Sequence, residues 1–136
     1  MTEFIWPVRV YYEDTDSGGV VYYANYLKFM ERARTEWLRS LGFEQDELIE
    51  QQGVIFAVRK VEVGFKSPAR FNEALSVSAK ITSRGKASLV FQQDITRDAD
   101  GKLLCSGEVK IACLDAERFR PASIPQEIIT VIADGV

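Results

Sequence analysis

The residues of this chain best suited to chemistry concentrate between Tyr12 and Tyr26, in the run Tyr-Glu-Asp-Thr-Asp-Ser-Gly-Gly-Val-Val-Tyr-Tyr-Ala-Asn-Tyr. Glu13, Asp14 and Asp16 fall within four positions, Gly18 and Gly19 follow, and an aromatic-rich helical pattern begins just beyond. The chain contains no histidine. Catalysis must therefore run on carboxylates, backbone amides or tyrosines, which excludes histidine-dependent triads and most protein zinc sites. A helix start offers unpaired N–H groups and the positive end of the helix dipole, a site for negative charge or a polarised carbonyl. Glycines let the backbone approach a ligand where a side chain would obstruct it. An aspartate just upstream would face a carbonyl held by those amides, an arrangement suited to acyl transfer. The same residue types also make ordinary turns and helix caps, so both readings stand on the loop alone.

The elements that must position this loop follow from periodicity. Phe4 to Tyr12 reads as a strand, with Val8, Val10 and Tyr12 alternating against Arg9 and Tyr11. From Tyr23 to Leu41 the period becomes helical, with Tyr26, Met30, Ala33, Trp37 and Leu41 on one stripe that Leu27, Phe29 and Leu38 widen. Arg32 with Glu36, and Glu31 with Arg34, have the spacing of ion pairs on the remaining face. Gly42 is a natural stop, and Glu44 to Gln52 reads as a second short helix. Four alternating segments follow, carrying Val61, Val77, Phe91 and Val109, with turns at Arg84-Gly85-Lys86 and Asp98 to Gly101. Ser123 to Ile132 closes the chain as a helix or short strand. One strand, one long helix and a run of strands without βαβ alternation predict an α+β fold, its antiparallel sheet wrapped around the long helix.

At 136 residues the chain is expected to be one domain, 1–136, large enough for a proper core. A net charge of −3 gives no reason to expect nucleic-acid binding. No apolar run approaches a membrane span, the first residues show no basic region followed by a long apolar one, and a cytoplasmic location is expected. Cys105 and Cys113, eight residues apart on one strand, would be separated by ~26 Å, so buried reduced thiols are expected.

The run from Arg9 through Asp14-Thr-Asp16-Ser-Gly-Gly19-Val-Val-Tyr-Tyr23 to Leu27, with Phe29-Met-Glu-Arg-Ala-Arg-Thr-Glu36, closely resembles the hotdog-fold acyl-CoA thioesterases. Within them it is similar to the YbgC type, related to 4-hydroxybenzoyl-CoA thioesterase. The likeness extends through Ala57-Val-Arg-Lys60, Ser67-Pro-Ala-Arg70, Ser88-Leu-Val-Phe91 and Phe119-Arg-Pro121. The resemblance implies a single hotdog domain that hydrolyses acyl-CoA to a carboxylic acid and free CoA. It implies Asp16 as nucleophile or general base, Tyr23 as bearer of the amide that polarises the thioester carbonyl, and Gly19 beside the reacting group. Members of the YbgC type usually carry histidine where this chain has Tyr23, whereas the 4-hydroxybenzoyl branch has tyrosine there.

Arg84, Lys86 and Ser88, at a strand turn, are expected to meet the CoA phosphates, with Arg59, Lys60 and Arg70 as weaker candidates. Tyr22, Tyr26, Phe29 and Trp37 are expected mostly in the core or at a subunit contact, with some of them, Tyr22 and Tyr26 foremost, lining the acyl site. Asp14 is assigned a structural hydrogen-bonding role, Glu13 a solvated edge, and Glu31 and Glu36 helix ion pairs. No metal site is indicated, and no cofactor is expected beyond the CoA of the substrate. The family's interfacial active sites imply a homodimer, extending to a homotetramer. Two alternatives remain: hydrolysis of acyl-carrier-protein thioesters linked to phospholipid metabolism, and a non-catalytic module that binds acyl groups or a protein.

Overall fold

A computed structural model describes residues 3–135; Met1, Thr2 and Val136, the ends of the domain expected over 1–136, lie outside the described residues. The alternation read from the sequence produces strands β1 (Phe4–Arg9), β2 (Val54–Phe65), β3 (Ala74–Arg84), β4 (Ser88–Arg97) and β5 (Leu103–Asp115). They form one antiparallel sheet in the order β1-β3-β4-β5-β2. Helix α1 (Asn25–Ser40) packs on its inner face, α2 (Gln45–Gln52) precedes β2, and α3 (Gln126–Gly135) closes the chain.

The inner face carries Val77, Ala79, Leu89, Phe91, Ile95, Cys105 and Val109, against Tyr26, Phe29, Met30, Ala33 and Leu38 of α1. Gly107 lies on this face beneath the Met30 side chain. A Cβ there would stand 2.9 Å from Val63 Cγ2 and 3.3 Å from Met30 Cε, so the missing side chain lets Met30 seat against the sheet. Phe29 is fully buried, and truncating such a side chain costs about 3–5 kcal/mol. Ile128 of α3 completes the far end of the core, beside Leu38 and Phe91.

Three expectations are corrected. β1 ends at Arg9 rather than Tyr12, because the Asp14 carboxylate accepts the Tyr11 N–H at 2.8 Å and folds Tyr12–Asp14 into a single 3₁₀ turn. α1 begins at Asn25, two residues later than the stripe suggested. The charges on α1 pair differently: Arg39 holds both Glu36 at 2.6 Å and Glu44 at 2.9 Å, while Arg32 lies 5.9 Å from the Phe29 ring centre. Gly42 ends the helix with φ of +96°, a conformation that glycine takes without a steric penalty. Cys105 and Cys113 lie buried and unbridged on β5, as expected.

Candidate active site

Asp16 heads a tight turn. Its N–H donates to the Val20 carbonyl at 2.9 Å, and its own carbonyl accepts the Gly19 N–H at 3.0 Å. Gly19 closes this turn at φ +81°, where a side chain would be strained. The Gly18 N–H donates to Asp16 Oδ1 at 2.8 Å, fixing the carboxylate's rotation. Oδ2 makes no hydrogen bond among the described residues, and the side chain is exposed, so the carboxylate is held through one oxygen and free at the other.

The returning arm of this turn runs directly into α1. Thr15 bridges Val21, and the Tyr22 N–H donates to the Asp14 carbonyl at 2.9 Å. Asn25, buried in the first turn of α1, donates its side-chain amide to the same carbonyl at 3.0 Å. Asp14 thus ties the Asp16 turn to the helix start through its backbone and shapes the approach with its carboxylate, the structural role assigned to it. The first helical amides bond to Tyr22, Tyr23 and Ala24 carbonyls, from Asn25, Tyr26 and Leu27. The amides of Tyr23 and Ala24 themselves donate no hydrogen bond among the described residues. They are the unpaired donors a helix start provides.

Around this start lies an aromatic group. The Tyr23 ring is 61% exposed and meets Tyr22 at 5.0 Å and Phe65 of β2 at 6.0 Å between ring centres. Tyr22 is also exposed. Tyr26 takes the core place among those expected for it and not the acyl wall: it is buried, and its hydroxyl oxygen accepts the Ala69 N–H at 3.0 Å. Its position on the core stripe, rather than its tyrosine chemistry, decides its placement.

Arg84 and Lys86 stand exposed on the β3–β4 turn, with Ser88 half-buried behind them. A Cβ on Gly85 would come within 2.7 Å of Ser88 Oγ, so a side chain there would turn the Ser88 hydroxyl aside. Arg118 and Arg120, missed in the sequence reading, come to the same end of the sheet. The Ile124 N–H donates to the Lys86 carbonyl and the Cys113 N–H to the Ala87 carbonyl, folding the 113–124 segment along the turn. Asp115 shapes it by accepting the N–H groups of Glu117 and Arg118 at 2.9 Å each, bonds that hold its carboxyl below the usual range. Between the two arginines Phe119 is 66% exposed at φ +54°.

A cavity of about 440 Å³ opens between the second half of α1, the start of β2 and the inner faces of β4 and β5. Its walls include Trp37, Phe56, Leu89, Phe91, Ile111 and Ile128, with Glu31, Arg34 and Thr35 on the helix side. Neither Asp16 nor Tyr23 lines it. Leu89 and Ile111 of its wall neighbour Ser88 and Ala112, so the basic turn sits beside the cavity. Among the described residues no cluster of three metal-ligating side chains occurs, and no helix is long and apolar enough to cross a membrane.

Comparison with known proteins gives a consistent likeness. The family model of the thioesterase-like superfamily matches residues 10–132. The chain is 48% identical over 128 residues to the acyl-CoA thioester hydrolase YbgC of Escherichia coli, covering 94% of each. It is 42% identical to the acyl-CoA thioesterase YbgC of Haemophilus influenzae, over 92% of this chain and 90% of that one. Its fold superposes on the crystal structure of a 1,4-dihydroxy-2-naphthoyl-CoA thioesterase from Synechocystis with a TM-score of 0.91, at 25% identity and 98% coverage of both chains.

Proposed function

This chain belongs to the thioesterase-like superfamily and hydrolyses acyl-CoA thioesters, and from that premise we propose that Asp16 supplies the reacting carboxylate and the helix-start amides the oxyanion donors. One observation carries the assignment. A carboxylate oriented through one oxygen by Gly18 stands on the same hairpin as two unpaired amides, at Tyr23 and Ala24. As negative charge develops on the thioester oxygen those amides stabilise it, and a pre-aimed donor contributes about 3–4 kcal/mol of barrier lowering. The free oxygen of Asp16 either attacks the acyl carbon, giving an anhydride that water opens, or removes a proton from an attacking water. Both routes add one water across the C–S bond: hydroxyl to the acyl carbon, proton to the departing CoA sulfur. Gly19 leaves the approach to this carbon clear, and Tyr23 acts through its amide. The chemistry calls for no resident cofactor.

Arg84, Lys86, Arg118 and Arg120 would receive the CoA phosphates, with Ser88 behind the turn. The same basic end suits an acidic carrier protein, and competition by free carrier protein against CoA substrates distinguishes the two deliveries. The unbridged thiols support a cytoplasmic location.

The site is completed by a second copy. β2 is a sheet edge of 12 residues with Val58, Val61 and Phe65 exposed, whereas the opposite edge, β1, is short and carries Pro7. Edges like β2 invite pairing. Tyr23 packs on Phe65 at the end of β2, and the cavity takes Phe56, Ala57 and Val58 from its start. Two-fold antiparallel pairing of β2 with a second β2 would bring one copy's Asp16 hairpin to the other copy's cavity, where the acyl group would lie. A homodimer is therefore the catalytic unit, and a tetramer of two such dimers a further step.

Complementation tests this arrangement. Asp16→Asn and the cavity-filling Ala57→Trp are each expected to lose thiol release on a CoA-thioester panel. Unfolded and refolded together, they regain activity, because one site of the mixed dimer keeps both an intact Asp16 and an open cavity. No regain would place carboxylate and acyl cavity in one copy.

A further inference from the structure

Arg34 is an ionised group half removed from water with no anion to meet it. It lines the cavity, forms no ion pair among the described residues, and donates Nη1 to Gln93 Oε1 at 2.9 Å. Gln93 is fully buried on β4, and its amide nitrogen is spent on the carbonyls of Met30 at 3.0 Å and Ser78 at 3.2 Å. Those two acceptors fix the amide's orientation, so its oxygen must face Arg34. The guanidinium is thus held rigidly by a neutral partner. Its Nε and Nη2 make no hydrogen bond among the described residues and neither is sealed from solvent, so both are free to meet a group entering the cavity that Arg34 lines.

Among the described residues the only carboxylate on the cavity wall is Glu31, one turn earlier, exposed and not within ion-pair distance. Burial pulls the guanidinium below the ordinary arginine value, and Glu31 only partly opposes this. A buried charge is costly unless paired, and a planar guanidinium with free donors is the side chain that matches a carboxylate in two parallel hydrogen bonds. The rest of the wall is aromatic and aliphatic, fitted to a hydrocarbon segment.

We propose that Arg34, held by Gln93, is a specificity-determining residue that selects acyl groups bearing a carboxylate, the hydrocarbon part lying on the apolar wall. The proposal rests on acyl-CoA hydrolysis with the acyl group in this cavity. An exposed cation would be levelled by water and by salt, whereas this partly buried one is screened less against an incoming anion.

The test compares glutaryl-CoA with hexanoyl-CoA, matched in length and differing in the terminal carboxylate. Wild type is expected to prefer glutaryl-CoA in kcat/KM. Arg34→Met is expected to lower kcat/KM for glutaryl-CoA about 10- to 100-fold and leave hexanoyl-CoA nearly unchanged, the range for a hydrogen bond to a charged group. Arg34→Lys, which keeps the charge and loses the fork, should fall between. Equal loss on both substrates, or no preference in wild type, would overturn the assignment, since Arg34 would then act on the common thioester or on the subunit contact. Calorimetric binding of both thioesters in the Asp16→Asn background, with and without Arg34→Met, reads the same preference without turnover. Absent hydrolysis with preferential glutaryl-CoA binding would count against the catalytic reading alone; equal binding of the two thioesters would count against Arg34.

Discussion

The Gly18 amide holds Asp16 Oδ1 at 2.8 Å, and a Cβ on Gly18 would stand 3.2 Å from that same oxygen. The glycine is therefore both the donor that orients the carboxylate and the gap that admits it. Gly18→Ala is expected to shift the carboxylate by tenths of an ångström and lower kcat about 10-fold with little change in KM, since small misplacements of reacting groups are expensive. Gly19→Ala acts differently. At φ +81° it should lose about 1–2 kcal/mol of stability, visible in thermal melting before any effect on chemistry.

At Tyr23, where the resemblance to the YbgC type implies histidine, this chain has tyrosine, and the work falls to the backbone amide. Tyr23→Phe should retain most of kcat. Tyr23→Pro removes the N–H and should lower kcat about 100- to 1,000-fold, the range for losing one oxyanion donor. Tyr23→Ala, which removes the ring but keeps the amide, separates the two effects. A large loss in Tyr23→Phe would mean that the hydroxyl takes part.

Burial pushes the Cys105 and Cys113 thiols up to about 11. Both should resist thiol reagents at neutral pH in the native protein and react once it is unfolded. The unfolded chain releases these protons near the ordinary thiol value, so it binds fewer protons than the native state between roughly pH 9 and 11. Stability is thus unaffected by the thiols below about pH 9 and falls as pH rises through that window, which denaturant titration at stepped pH measures. Replacing both cysteines with alanine should flatten that part of the curve.

Much of this site was legible in the residues because its parts are local. Asp16, its glycines and the helix start lie within ten positions, and period-2 alternation fixed the four later strands. Where side chains met partners far along the chain, spacing misled. Arg34 has the spacing of an ion pair with Glu31, yet it bonds Gln93, 59 residues away, because both lie between α1 and the sheet. Arg118 and Arg120 join the Arg84 turn only through the folding back of the 113–124 segment, which no local pattern announces. Tyr26 carries a hydroxyl suited to a substrate wall, but its place on the apolar stripe puts it in the core, where Ala69 satisfies it. The charge pairs of α1 failed for a simpler reason: Arg39 reaches two carboxylates at once, which outcompetes the Arg32–Glu36 spacing.

The most direct measurement is thiol release from a panel of CoA thioesters by wild type and Asp16→Asn at equal concentration, with thermal melting and solution mass as controls. The account predicts equal stability and mass, and a loss of kcat of at least about 100-fold on every substrate that wild type turns over. An Asp16→Asn protein that melts like wild type and keeps its turnover would show that this carboxylate does not carry the reaction.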